Sequence, residues 1–248
     1  MTAAVAAFAL APGLALGSFL NVVAARLPRG RSVIKPASAC MACGQTVAWY
    51  DNVPVLSYLL LRGRCRGCGE RIGLAYPLVE LVTALLIGGC ILAFGLTPRA
   101  AVAGFFCAVL VTISAIDFEH RIVPNKIVLP ATVVVLAAQT VIEPSPEWAI
   151  AAVAAALFLF VAALAYPKGM GMGDVKLALL LGAGLGRSVG VALMVGMIAA
   201  LVPSAVLFAR HGMEARKKAI PFAPFLALGA VVALFAGGAL LDAYLKFL

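Results

Sequence analysis

Two aspartates are the residues of this chain best suited to chemistry. Asp117 ends an apolar run, in Ala115-Ile116-Asp117-Phe118-Glu119-His120-Arg121, and Asp174 closes Gly169-Met170-Gly171-Met172-Gly173-Asp174. Carboxylates at the edge of an apolar segment are costly, which makes each a functional candidate. Two that share a site do not both ionise easily, so one keeps a proton while the other stays charged. Such a pair can take a proton from water and give one to a departing group, which is peptide hydrolysis without a covalent intermediate. Gly171 and Gly173 are expected to allow positive φ and the close approach of a substrate backbone. The plainer alternatives are that Asp174 is the N-cap of the helix that follows and that Asp117 simply ends a span.

The second constellation is Cys40-x2-Cys43 and Cys65-x2-Cys68, each pair followed by glycine, Gly44 and Gly69. Two such pairs fit a tetrahedral zinc site. The glycine after each pair lets the backbone turn so that amide N–H groups face the thiolates. Four thiolates fill the tetrahedron and leave no open position, so the zinc is expected to be structural. Two disulfides are the alternative, disfavoured if the segment lies in a reducing cytosol. Cys90 and Cys107, inside apolar runs, read as packing residues.

Weaker candidates surround these. Glu80 lies a short way into an apolar segment, where a carboxylate is costly. Glu70 and Asp51 share the cysteine segment and read as solvated. His120 and His211 read as solvated loop histidines. Gly182-x-Gly184-x-Gly186 imitates a nucleotide loop, but no strand precedes it, so its small residues are read as sites of close helix packing.

The elements that carry these residues are membrane helices. The chain of 248 residues is 64% hydrophobic and 12% charged, with a mean hydropathy of +1.10; a soluble domain is about half apolar and a quarter charged. A span needs roughly 20 apolar residues. Spans are expected near 3–25, 74–95, 100–116, 126–142, 148–167, 175–186, 189–209 and 222–245. The fold is therefore an all-α polytopic membrane protein of about eight transmembrane helices. The sixth span is weak, short enough for a half-helix or for one arm of a longer bent pair around Arg187. The expected organisation is a first helix at 1–25, a cysteine insert at 26–73 and a helical core at 74–248.

The first apolar run has no basic residue ahead of it and Arg26, Arg29 and Arg31 behind it. A cleavable signal carries its charge in front, so the run is expected to be a retained helix with its N-terminus outside. Alternating from there, every lysine and arginine except Arg99, Arg187 and Lys246 falls on the cytoplasmic side, including Lys168, Arg216, Lys217 and Lys218. That is the positive-inside pattern. It accounts for the formal charge of +9 without nucleic acid, and it places Asp117, Asp174 and the cysteine insert at the cytoplasmic face.

Several segments together resemble the type IV prepilin peptidases, the GxGD aspartic proteases of bacteria, in their bifunctional form. They are Gly17-Ser-Phe-Leu-Asn21 with Val22 to Pro28, the two CxxCG pairs, Tyr76-Pro77-Leu78-Val79-Glu80, Asp117 with Pro124-Asn125, Gly171-Met172-Gly173-Asp174-Val175-Lys176, and Ile220-Pro221-Phe222-Ala223-Pro224-Phe225. The resemblance implies a multi-pass inner-membrane enzyme whose active site faces the cytoplasm. It implies cleavage of the leader of type IV prepilins and pseudopilins, in pilus assembly or type II secretion, with Asp117 and Asp174 catalytic. It also implies N-methylation of the new N-terminus from S-adenosylmethionine, the tetracysteine insert marking that branch. Gly171, Gly173, Glu119 and Glu80 are expected to meet substrate, Glu119 by receiving a basic leader. Ala223 departs from the pattern, which has glycine there. The alternatives are a peptidase without methyltransferase activity and, from another class, a transporter or zinc-ribbon membrane adaptor.

Overall fold

The structure, a computed structural model, describes residues 2–166, 170–212 and 220–246. Gly169, Lys168, Arg216, Lys217 and Lys218, named above, lie outside the described residues. The described residues are helical and contain no strand, only the isolated bridges Ala39–Thr46 and Arg64–Arg71. The long helices are α1 (Thr2–Arg26), α3 (Ala75–Phe94), α4 (Pro98–His120), α5 (Asn125–Ile142), α6 (Glu147–Ala165), α7 (Met172–Leu185), α8 (Val189–His211) and α9 (Ala223–Leu245), with the short α2 (Leu56–Leu60) in the insert. The chain is an all-α, multi-pass membrane protein: among the described residues seven stretches are long and apolar enough to cross a membrane. One of the seven is the 40-residue stretch Met172–His211, in which α7, a 3-10 turn at Gly186–Ser188 and α8 follow one another.

The expected weak sixth span is α7, and its weakness has a physical reason. Its 14 residues rise only about 21 Å, short of the roughly 30 Å hydrocarbon core. It ends at Gly186, whose φ of 55° breaks the helix in the left-handed region that glycine enters most easily. Leu177, Leu180 and Leu181 on α7 have no exposed surface. Most of its residues from Leu177 to Leu185 are buried, so α7 is shielded by neighbouring helices where a longer span would meet lipid. Elsewhere large apolar side chains stay uncovered, as at Leu85 (57% exposed) and Leu201 (64%), which suits helices whose outer faces contact acyl chains.

Contacts divide the chain into two compact units, Met1–Ile116 and Asp117–Leu248. In the first, α1 and α3 run antiparallel at backbone contact. A Cβ placed on Gly13 would lie 2.8 Å from the Ala84 Cα, and one on Gly17 would lie 2.6 Å from the Glu80 Cα. Asn21 donates its side-chain amide to the Tyr76 carbonyl at 3.0 Å. Gly13-x3-Gly17 is thus the small-residue stripe that lets two membrane helices close on one another. Cys90 and Cys107 are buried, their sulfurs 4.0 Å apart between α3 and α4.

In the second unit α7 packs on α5 and α6, and α8 on α9. Gly182 lies against Ala151 and Ala152 of α6, and Gln139 of α5 donates to the Gly184 carbonyl at 3.1 Å. The glycine run that imitates a nucleotide loop is therefore a packing surface.

Candidate active site and metal centre

Asp117 stands in the last turn of α4, 6% exposed. Its carboxylate accepts the N–H of Ala223 at 3.1 Å and that of Phe222. These belong to the first residue of α9 and the residue before it, so the aspartate satisfies donors that a helix N-terminus leaves open. The partner of Asp117 at Ala223 is a backbone N–H, which glycine and alanine supply equally. The alanine at this position therefore keeps the donor, and its methyl group is fully buried.

Asp174 is the third residue of α7. The N-cap is Gly171, so the simple N-cap reading of Asp174 does not hold. Its carboxylate reaches back to the Gly171 N–H, and its own N–H is donated to the Gly171 carbonyl at 3.1 Å. This is the third-residue half of a capping box. The carboxylates of Asp117 and Asp174 lie within electrostatic reach of each other, and the Arg121 guanidinium acts on Asp117.

Two contacts bring the aspartates together. The segment that leaves α4 turns at Arg121, with φ 56°, and lies against the start of α7. A Cβ on Gly173 would sit 3.0 Å from the Val123 Cβ. Lys176 donates to the Asn125 side-chain oxygen at 2.9 Å. Gly173 is therefore packed against the Val123 side chain, with little room for a Cβ. Neither Gly171, with φ −85°, nor Gly173 has positive φ, so that expectation is corrected. Nor did their sequence assign a role to Asn125, Lys176 or the N–H groups of Phe222 and Ala223, although all lie inside the motif segments.

A Gly173→Val variant should displace Asp174 relative to Asp117. Misplacement of about 1 Å costs roughly 10²-fold in rate, so turnover should fall by that order while substrate binding changes little. Steady-state cleavage rates that match the parent would show that the contact with Val123 does not set the geometry.

The cysteine insert is built from two like turns. Cys40 donates its N–H to Gln45 O at 2.9 Å and accepts that of Gly44 at 2.9 Å; Cys65 pairs in the same way with Glu70 at 2.8 Å and Gly69 at 3.0 Å. Gly44 and Gly69 have φ of 72° and 73°, as their positions after the cysteine pairs led one to expect. All four cysteines are free, and their sulfurs lie within 4.8 Å of one another, with Cys40 and Cys68 at 3.8 Å. A tetrahedron with Zn–S bonds of about 2.3 Å has sulfurs about 3.8 Å apart, so the four residues fit zinc. The amides of Cys43 and Ala42 bring the Cys40 thiol down to about 6. The Glu70 amide favours the Cys68 thiolate, but desolvation and the neighbouring sulfurs push it up to about 12. A divalent cation among the sulfurs would hold all four as thiolates.

The second turn is clamped to the 3-10 helix Trp49–Asn52. Arg66 donates two hydrogen bonds to Asp51, at 2.7 and 2.6 Å, and lies over the Tyr50 ring. The Arg66 guanidinium holds the Asp51 carboxyl below its ordinary value, so Asp51 has a partner where simple solvation was expected.

The remaining candidates are dispersed. Glu80 is buried, and its Oε2 accepts the Val55 N–H at 2.8 Å, so it ties the insert to α3. Glu119 is exposed on the last turn of α4. His120, expected to be solvated, is partly covered, with its Nε2 buried and 3.7 Å from Glu119. His211 is exposed on α8.

Fold and sequence together define a class, a polytopic helical membrane enzyme carrying a four-cysteine insert. The family model described as bacterial peptidase A24 N-terminal domain matches residues 12–94, and that of the type IV leader peptidase family matches 104–209. The chain belongs to the type IV leader peptidase family and is a peptidase. It is 34% identical to the prepilin leader peptidase/N-methyltransferase of Bacillus subtilis, over 94% of this chain and 95% of that one. It is 36% identical to the protein of the same name from Burkholderia pseudomallei, over 93% and 85%. The like-named protein of Myxococcus xanthus is 47% identical across 50% of this chain and 37% of its own length. No solved structure matches the chain.

Proposed function

We propose that this protein removes the leader from type IV prepilins and pseudopilins at the cytoplasmic face of the inner membrane, with Asp117 and Asp174 as the acid/base pair. It then methylates the new N-terminal amine from S-adenosylmethionine. The observation that carries the reading is the pairing of two carboxylates, each held on a helix N-terminus, with the segment after Asp117 pinned to the first turn of α7 through Gly173. The names of the relatives support the substrate and both activities.

In the proposed reaction the ionised carboxylate takes a proton from a water, and the oxygen attacks the scissile carbonyl carbon. The protonated carboxyl gives its proton to the carbonyl oxygen. Collapse of the tetrahedral intermediate returns one hydroxyl proton to the carboxylate that had protonated the carbonyl oxygen and breaks the C–N bond, and the leaving nitrogen receives a proton from the carboxyl that took one from water. That nitrogen becomes the amine of the mature pilin. S-adenosylmethionine, when bound, would supply the methyl group that this amine takes once deprotonated.

The chain's own residues supply placement. The Ala223 N–H fixes Asp117 Oδ2, and the Phe222 N–H also donates to this carboxylate. A prepilin helix in the bilayer with its basic leader in the cytoplasm would present its scissile bond at this depth, with exposed Glu119 as a contact for the leader. Gly171, also exposed, offers backbone to the substrate without a side chain in the way. The four cysteines would hold a structural zinc that folds the insert at 26–73, the part assigned to methyl transfer, leaving 74–248 as peptidase core. The positive-inside distribution supports the orientation.

Incubation of the purified protein with a prepilin and S-adenosylmethionine should yield a pilin that has lost its leader and gained one methyl group, read by mass spectrometry. An intact prepilin would sink the proposal. Cleavage without methylation would leave the peptidase-only alternative.

A further inference from the structure

We propose that α2 of the cysteine insert is seated in the bilayer itself, with Leu56, Leu59 and Leu60 in the acyl boundary of an anionic leaflet. Depth carries the argument. Glu80 is the sixth residue of α3, so its Cα lies about 7–8 Å along the helix from Ala75. α3 is one of the membrane-crossing stretches, beginning at Ala75. The buried Glu80 carboxylate accepts the Val55 N–H at 2.8 Å, and Val55 is the N-cap of α2. The Tyr58 hydroxyl is 3.4 Å from the Ile72 carbonyl, just ahead of α3. The start of α2 therefore lies level with the first turns of a spanning helix, below the point where α3 enters its apolar stretch.

The side chains match that depth. Leu56, Leu59 and Leu60 are 53%, 65% and 73% exposed, at the i, i+3, i+4 spacing that puts them on one face of a helix. Ser57 is buried on the other side and donates to the Tyr50 carbonyl at 2.9 Å. On α3, Leu78 in the first turn is also exposed. Arg62 and Arg64 follow α2 directly and are exposed, as basic residues facing phosphate headgroups are. Interfacial helices bury an apolar face about 5–10 Å into the headgroup and acyl boundary, the depth that Glu80 sets here. The insert would thus be tethered by α3 and floated by α2, holding its cysteine turns against the membrane.

The test places benzoylphenylalanine at Leu59, and in a second variant at Leu60, in the full chain in liposomes containing phosphatidylglycerol. Illumination should shift most of the labelled protein by the mass of one phospholipid, with or without an excess of prepilin. Absence of a lipid adduct at both positions overturns the proposal. So does a dominant adduct with prepilin, which would make the leucines a substrate surface, or with a second copy of the chain.

Discussion

Asp117→Asn and Asp174→Asn should each reduce leader cleavage by at least about 10³-fold, within the range that acid/base partners contribute. Asparagine has no proton to lose or give at the required step, and neither aspartate can perform both halves of the exchange alone. The structure separates this loss from misfolding. An asparagine at 117 retains a carbonyl oxygen that can accept the Ala223 N–H now bonded at 3.1 Å, so the start of α9 stays satisfied. Alanine at 117 would leave the N–H groups of Phe222 and Ala223 without their acceptor, at a cost of about 1–3 kcal/mol for a buried donor. The asparagine variants should therefore keep the thermal stability of the parent in detergent, and the alanine variant should not. Near-normal turnover by either asparagine variant would remove that residue from the catalytic pair. Both should still methylate a pre-cleaved pilin with a free N-terminal amine, since methyl transfer needs an aligned amine and sulfonium but no acid/base pair.

Cys40→Ser, or serine at Cys43, Cys65 or Cys68, should take bound zinc from one ion per chain to essentially none and unfold the insert. Structural zinc contributes about 10–16 kcal/mol of folding free energy in small domains, and little else is present to replace it. Trp49 and Met41 are more than 80% exposed, so the insert has few apolar side chains to bury. The Arg66–Asp51 pair holds only the second cysteine turn to the 3-10 helix and does not close the two cysteine pairs on each other. Elemental analysis of the reduced, purified protein reads the metal, and limited proteolysis reads cleavage within 26–73. A metal-free parent protein would refute the site. Methylation should fall with the zinc while cleavage persists; joint loss of both activities would mean that the insert supports the whole enzyme.

Much of this protein is legible in one dimension because membrane spans and cysteine pairs are local signals. Lipid requires continuous apolar stretches with every backbone group bonded within the segment, so the helices stand within a few residues of where hydropathy puts them. CxxCG pairs carry their own turn: the glycine at the left-handed position and the amides facing sulfur belong to a few consecutive residues. The four cysteines that cluster within 4.8 Å were likewise readable from their spacing.

What only the tertiary structure decided depends on backbone groups and on surfaces from distant parts of the chain. No property of the Asp117 side chain reveals that its acceptors face the N–H groups of Phe222 and Ala223 on α9. Gly173 looks like a residue chosen for its φ, yet it has helical backbone and is small because Val123 lies against it. Glu80 looks like a substrate residue because a carboxylate inside a span is costly, and the structure adds a contact within the chain, its Oε2 accepting the Val55 N–H of the insert. The sixth span, α7, looks too short to cross, and its enclosure by other helices explains how it can be. Sequence determined which residues are chemically exceptional and where chain meets lipid, because composition and period are sums over neighbours. The tertiary structure decided what each exceptional residue touches, because hydrogen bonds and close contacts are pairwise events between residues far apart along the chain.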